Sequence, residues 1–172
     1  LIEQVNREMY SSYLYLSMSS FCSEKGLKGM AKWFMVQFHE ENLHAMKMHE
    51  YVLRQGGRPL LKTIKEPPSQ FGTPLEMFQM VLEHEQYITK SINDLMEIAI
   101  EEKDHATQIF IQWYVSEQVE EEENDNDIIA TLKLIDDNAQ ALLMYDNELG
   151  ARLVTVPTDF SNGVSSALKA MG

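Results

Sequence analysis

The sequence predicts an all-α domain, a four-helix bundle with one long crossover and a short fifth helix at its C-terminal end. Three observations predict it. The 5 prolines and 8 glycines of the 172-residue chain gather at a few breaks instead of scattering. Between those breaks apolar residues recur at steps of three and four, the period of a helix. One of the breaks is far longer than the others.

Helix A is expected over residues 1–24 and helix B over 27–55, separated by a short break near Gly26 and Gly29. The long break runs from Gly56 to Pro74 and holds Gly57, Pro59, Pro67, Pro68 and Gly72. Helix C follows over 74–102, where Thr73-Pro74 supplies a capping hydroxyl and a proline in the first turn. Helix D covers 104–134, and a shorter helix E covers 138–152. Gly150, Pro157 and Gly163 then mark a tail. A single domain is expected over 1–154, with 155–172 as a small polar extension.

Connection lengths set the topology. The A–B and C–D breaks are short, so each pair forms an antiparallel hairpin. A helix of ~28 residues is ~42 Å long, and the 18 residues of 56–73, if extended, reach up to ~60 Å. The B–C segment can therefore travel the whole length of the bundle and start C beside the beginning of B.

Composition narrows the function. Formal net charge is −13, from 27 acidic and 14 basic residues. That argues against nucleic acid or an anionic membrane as a partner and favours cations, although plain solubility is an equally simple reading of the charge. No apolar run approaches the ~18 residues of a membrane span, and no basic-apolar signal segment leads into helix A. The chain opens at Leu1 rather than Met, which leaves room for a short leader outside the sequence. The one cysteine, Cys22, cannot form an internal disulfide, which suits a reducing compartment and hence the cytoplasm.

The apolar stripes are interrupted in a regular way. On B the stripe Phe34, Phe38, Glu41, Ala45, Met48, Val52 is apolar except for Glu41. Glu85 sits among Phe78, Leu82, Ile88, Ile92 and Leu95 on C. On D the line is Ile111, Val115, Gln118, Glu121, Asp125, Ile129, Leu132, and on A a weaker one is Leu1, Val5, Glu8, Ser12, Tyr15. Each helix aims a polar group, mostly a carboxylate, at the core. Taken singly, each glutamate is more simply a surface residue on a slightly rotated helix. Four in matching positions are not, because facing buried carboxylates are costly unless a multivalent cation joins them.

Spacing strengthens the point. Glu8 to Glu41 is 33 residues, and so is Glu85 to Gln118. Each second helix offers a further ligand three residues on, Glu41-x-x-His44 and Gln118-x-x-Glu121, and an i, i+3 pair shares one face. This matches a known pattern of two-metal bundles, in which two helices give a glutamate each and two give Glu-x-x-His. Carboxylate-rich, imidazole-poor ligation suits iron or manganese and not structural zinc or copper(I). A bridging carboxylate such as Glu41 could hold two irons ~3.5–4 Å apart.

From Leu1 to about Arg152 these residues resemble the non-haem ferritins of bacteria and archaea. The resemblance rests on Asn6-Arg7-Glu8-Met9-Tyr10-Ser11-Ser12, Glu40-Glu41-Asn42-Leu43-His44-Ala45-Met46, Glu83-His84-Glu85-Gln86 and the specific run Gln112-Trp113-Tyr114-Val115-Ser116-Glu117-Gln118-Val119-Glu120-Glu121-Glu122. It implies one iron site at Glu8, Glu41 and His44 and a second at Glu41, Glu85 and Glu121. Gln118 lies beside the pair, and Tyr15 matches a tyrosine next to the ferroxidase centre. It implies a third, cavity-side iron site at Glu40, Glu117, Glu120 and Glu121. It further implies a 24-subunit homo-oligomeric shell that stores iron(III) mineral after oxidising iron(II) with dioxygen or hydrogen peroxide, with helix E packed around the fourfold axes.

Two departures bear on this. Bacterioferritins, rubrerythrins and di-iron oxygenases repeat Glu-x-x-His on D, where this chain has Gln118-x-x-Glu121. Bacterioferritins place a haem-ligating methionine directly after the B-helix glutamate, where this chain has Asn42, so no haem is expected. Two positions that are acidic at the threefold pores of animal ferritins fall near Gln108 and Ile111.

The remaining features have plainer readings. His39, His49, His84 and His105 lack a partner set, and the 11 methionines read as flexible core filler. Trp113 and Tyr114 read as packing, Glu122 and Glu123 as solvated, and Asp94, Asp136 and Asp137 as surface acids. The crossover and helix E have no evident part in a lone bundle's core, so both are expected at subunit contacts. Two other functions compete. A rubrerythrin-like di-iron peroxidase or oxygenase calls for the histidine missing from D, and the Cys-x-x-Cys of an attached redox domain is missing too. A metal-free helical interaction bundle would have to bury carboxylates with no cation.

Overall fold

The computed structural model of the chain describes residues 1–153; the tail expected over 155–172 lies outside them. Five helices form: α1 (Ile2–Glu24), α2 (Lys28–Arg54), α3 (Pro74–Glu101), α4 (His105–Ile135) and α5 (Ala139–Leu149). There is no strand among the described residues. Every expected helix is present, with ends within a few residues of expectation. The helices fall into two compact units, one of Leu1–Gln70 with the segment from Ala139 onward, the other of Phe71–Asn138.

In the first unit α1 and α2 form an antiparallel hairpin. Ser19 Oγ donates to the Ala31 carbonyl at 2.8 Å near the turn, and Asn42 Nδ2 donates to Ser12 Oγ at 2.7 Å farther along. The turn is tight because Gly26 adopts φ +80°, which lets Leu27 N–H reach back to the Cys22 carbonyl at 3.0 Å. Val5, Tyr15, Met18 and Cys22 from α1 are fully buried, as are Met30, Phe34, Ala45 and Met48 from α2. At ~25 cal/mol per Å2 each large side chain buried here contributes about 1.5–3 kcal/mol.

The crossover runs back along α1. Lys62 pairs with Glu3 near the start of that helix, and Ser17 Oγ donates to the Pro68 carbonyl at 2.7 Å. The 14 residues from Glu3 to Ser17 rise ~21 Å in a helix, and the six from Lys62 to Pro68 span ~20 Å when extended. Residues 62–68, which contain no helix or strand, therefore run lengthwise beside α1.

α5 belongs to the same unit and, although expected to have no evident part in a lone bundle's core, it packs against the start of α2 within the chain. Asp146 is buried and its carboxylate accepts from Gly29 N at 3.0 Å and Met30 N at 2.8 Å. It caps the first turn of α2, whose own N-cap, Leu27, offers no side-chain acceptor. A Cβ at Gly29 would sit 1.6 Å from the Asp146 carbonyl oxygen, so this approach requires glycine. The crossover likewise has contacts with α1 inside one chain.

In the second unit Thr73 and Glu76 form a capping box at the start of α3, with Pro74 in its first turn. Asp104 caps α4 by accepting from Thr107 N at 3.0 Å. The short turn between them places Lys103 at φ +55°, a conformation that usually selects glycine. α3 and α4 run antiparallel. Gln108 Nε2 donates to the Ala99 carbonyl at 2.9 Å, and Gln118 Nε2 donates to Thr89 Oγ1 at 3.3 Å, so ten residues forward on α4 are ten back on α3. Met77, Phe78, Val81, Ile88 and Ile92 of α3 and Ile111 of α4 are buried.

Candidate metal centre

Glu8 on α1 and Glu41 and His44 on α2 converge inside the first unit. One ligand atom from each lies within 4.8 Å of the other two. All three are almost wholly buried, at 1, 2 and 2% exposure. The i, i+3 spacing of Glu41 and His44 puts them on one face, with His44 Nδ1 3.6 Å from Glu41 Oε2. Glu8 is held from its own helix: Gln4 Nε2, one turn back, donates to Glu8 Oε1 at 2.8 Å, and Arg7 Nη1 donates to Gln4 Oε1 at 3.2 Å. The Gln4 amide is thereby fixed with its nitrogen toward the carboxylate. Tyr15, two turns beyond Glu8, is fully buried and stacks on Phe34 with ring centroids 6.1 Å apart.

The second unit buries its own polar set. Glu85, Gln118, Glu121 and Asp125 are all at 4% exposure or less. Gln118 Nε2 donates to Glu85 Oε2 at 3.0 Å and approaches the Glu85 carbonyl at 3.3 Å. The amide steadies the α3 carboxylate, a function the equal 33-residue spacing suggests only indirectly. Thr89 extends the network by donating to Glu122 at 2.6 Å. Glu122 was expected to be solvated; half of a cross-helix hydrogen bond, it is partly buried instead.

The set assigned to a third site is less uniform. Glu40 is buried, Glu117 half-buried and Glu120 exposed. Glu40 Oε2 accepts from Arg152 Nη2 at 2.7 Å. Asn42, at the position of a haem-ligating methionine elsewhere, donates to Ser12 Oγ and to the Phe38 carbonyl at 2.8 Å.

Gln4, Thr89, Arg152 and Asp146 escaped the sequence reading. Gln4 and Thr89 each lie four residues from a candidate ligand, so a search for amides and hydroxyls one turn away would have found them. Arg152 and Asp146 act on partners 112 to 117 residues distant and leave no local signal.

Chemically, the first unit presents two buried carboxylates and a buried imidazole from two helices. Two carboxylates this close repel in low dielectric. A divalent cation converts that repulsion into ligation, and this oxygen-rich donor set with one nitrogen fits iron(II).

Comparison with known proteins agrees with this arrangement. A family model described as a ferritin-like domain matches residues 1–135. The chain is 42% identical over 146 residues to a bacterial non-heme ferritin from Campylobacter jejuni, covering 85% of this chain and 87% of that one. It is 41% identical over 150 residues to the corresponding protein of Bacteroides fragilis, covering 87% and 93%. Among solved structures, an open pore ferritin from the hyperthermophilic archaeon Archaeoglobus fulgidus superposes with a TM-score of 0.87 at 50% identity, covering 88% of this chain and 94% of that one. With a family model matched over most of its length and relatives above 40% identity, the chain belongs to the ferritin family and has its fold class, a four-helix bundle with a short C-terminal fifth helix.

Proposed function

We propose that the protein stores iron and is a ferroxidase, oxidising iron(II) at a paired centre within each subunit and holding iron(III) mineral inside a homo-oligomeric shell of 24 copies. The observation that carries this reading is the buried Glu8–Glu41–His44 cluster, three ligand atoms within 4.8 Å of one another. Glu41 serves as the bridge. Glu85 and Glu121 supply the second iron, by the resemblance of their motifs to those of non-haem ferritins. Gln118 orients Glu85, and Tyr15 flanks the centre.

Iron(II) is the substrate. Two ions give one electron each to a shared oxidant: with dioxygen, 2 Fe(II) + O2 + 2 H+ yields 2 Fe(III) + H2O2. With peroxide, 2 Fe(II) + H2O2 + 2 H+ yields 2 Fe(III) + 2 H2O. The protein contributes proximity, since two ions on one carboxylate react as a unit. The carboxylates favour the higher charge of the product, and so help drive electron loss. Glu40, Glu117, Glu120 and Glu121 form a weaker third site through which iron passes toward the store. The reading places the protein in the cytoplasm; among the described residues no helix is long and apolar enough to cross a membrane.

Stopped-flow absorbance on anaerobically iron-loaded protein mixed with oxygenated buffer tests the assignment. Glu41→Ala should lose the fast oxidation phase, slowing it by about 100-fold or more if both irons depend on the bridge. An unchanged initial rate in that variant would rule out this centre.

A further inference from the structure

Arg152 lies just beyond α5 and is fastened to one face of α2. Its Nη2 donates to Glu40 Oε2 at 2.7 Å, its Nη1 to Gln37 Oε1, and its guanidinium carbon stands 5.0 Å from the Trp33 ring centroid. Trp33, Gln37 and Glu40 are spaced i, i+4 and i+7, so they form one stripe. Lys32 Nζ adds a 2.7 Å bond to the Gly150 carbonyl, anchoring the same segment. The Glu40 side chain is 9% exposed and that of Arg152 is 25% exposed. A carboxylate this sheltered calls for a counter-charge, and Arg152 supplies it.

We propose that Arg152 is a built-in competitor for the third iron site: its guanidinium neutralises Glu40, and a metal ion must displace it before Glu40 can act as a ligand. This rests on the reading of Glu40 as a third-site residue. A monovalent cation already on Glu40 and a divalent one drawn to the same carboxylate repel each other in a partly dry setting. The flat fork of arginine, held by a carboxylate, an amide and an indole at once, is a stronger rival than a lone ammonium would be. The site is thereby kept weak and exchangeable, which suits iron in transit. Metal entry also releases the segment after α5 from the Glu40 end of the stripe.

The experiment uses zinc(II), which occupies such sites without redox chemistry. Assembled wild-type protein, Arg152→Gln, Glu40→Gln and the double variant are titrated calorimetrically, with assembly checked by light scattering. Arg152→Gln should bind the third zinc about tenfold more tightly, the scale expected when one nearby positive charge is removed, and leave the two tight sites unchanged. Glu40→Gln should weaken the third zinc and abolish the gain from Arg152→Gln. Unchanged or weaker third-zinc binding in Arg152→Gln, with Glu40→Gln still weakening it, would overturn the proposal and leave the third site standing. If Glu40→Gln retains the third zinc at wild-type affinity, the third-site assignment falls and the proposal with it. A wild-type crystal soaked in zinc gives a readout free of any folding defect. Arg152 Nη2 should move out of hydrogen-bond reach of Glu40 where the third ion is present, and an intact Arg152–Glu40 bond beside a fully occupied ion contradicts displacement.

Discussion

At the scale of single residues, the candidate ligands were legible in the sequence because a glutamate in an apolar stripe is a conspicuous expense. Glu8, Glu41, Glu85 and Glu121 stand out for that reason, and all are buried. Less legible were the groups that aim them. Gln4 on Glu8 and Gln118 on Glu85 act through side-chain directions that spacing does not encode. The cost of holding such carboxylates predicts a stability effect. Glu41→Ala relieves repulsion with Glu8, so its melting temperature measured without metal should equal or exceed that of the wild type. A loss above about 2 kcal/mol would show that Glu41 supports the fold as well as the metal. Cys22 supplies a second test. Burial raises its thiol from the ordinary 9.0 to about 12, with the Asp146 carboxylate adding to the rise. The folded protein thus holds this proton more tightly than the unfolded chain. Its contribution to stability is complete below pH 9 and declines as pH climbs from 9 toward 12. A thiol reagent at pH 8 should leave Cys22 unmodified in folded protein and modify it promptly in denaturant.

At the scale of elements, the helices and their caps follow from local chemistry. Thr73-Pro74 marks the start of α3, and the structure completes the mark with Glu76. The start of α2 is different. Leu27 has no side chain to cap it, and the acceptor comes from Asp146, 116 and 117 residues away in α5. No scan of neighbouring residues could reveal that, which is why α5 read as an appendage. The consequence can be measured. Gly29→Ala forces a methyl into the Asp146 carbonyl and should cost about 2 kcal/mol or more, lowering the melting temperature and exposing α5 amides to hydrogen exchange. Asp146→Ala should be milder, about 1–2 kcal/mol, since the α2 turn keeps its packing and loses only the cap. Equal protection of α5 amides in Gly29→Ala and wild type would show that the glycine contact does not hold the helix.

At the scale of the whole molecule, topology followed from connection lengths. A crossover long enough to return along the bundle was expected, and Lys62 on Glu3 and Ser17 on Pro68 trace that return along α1. Assembly is not written in one chain's periodicity, because the surfaces involved look like ordinary exposed apolar residues. Leu60, Leu61 and Ile64 of the crossover and Leu143 and Met144 of α5 are such residues. The storage reading assigns them to subunit contacts. Full-length protein should therefore elute near 475 kDa, about 24 copies of 19.8 kDa. Deletion from Asp136 onward should shift it to smaller species while far-ultraviolet dichroism still reports α1 to α4. A full-length protein that stays monomeric at micromolar concentration contradicts the shell.

The central claim is that iron is gathered by the buried cluster of α1 and α2. Anomalous diffraction at the iron edge, from crystals soaked anaerobically in iron(II), tests it directly. The account predicts one strong peak in each subunit bound by Glu8, Glu41 and His44, and a second sharing Glu41 with Glu85 and Glu121. Peaks confined to surface acids, with no density at Glu41, would contradict it.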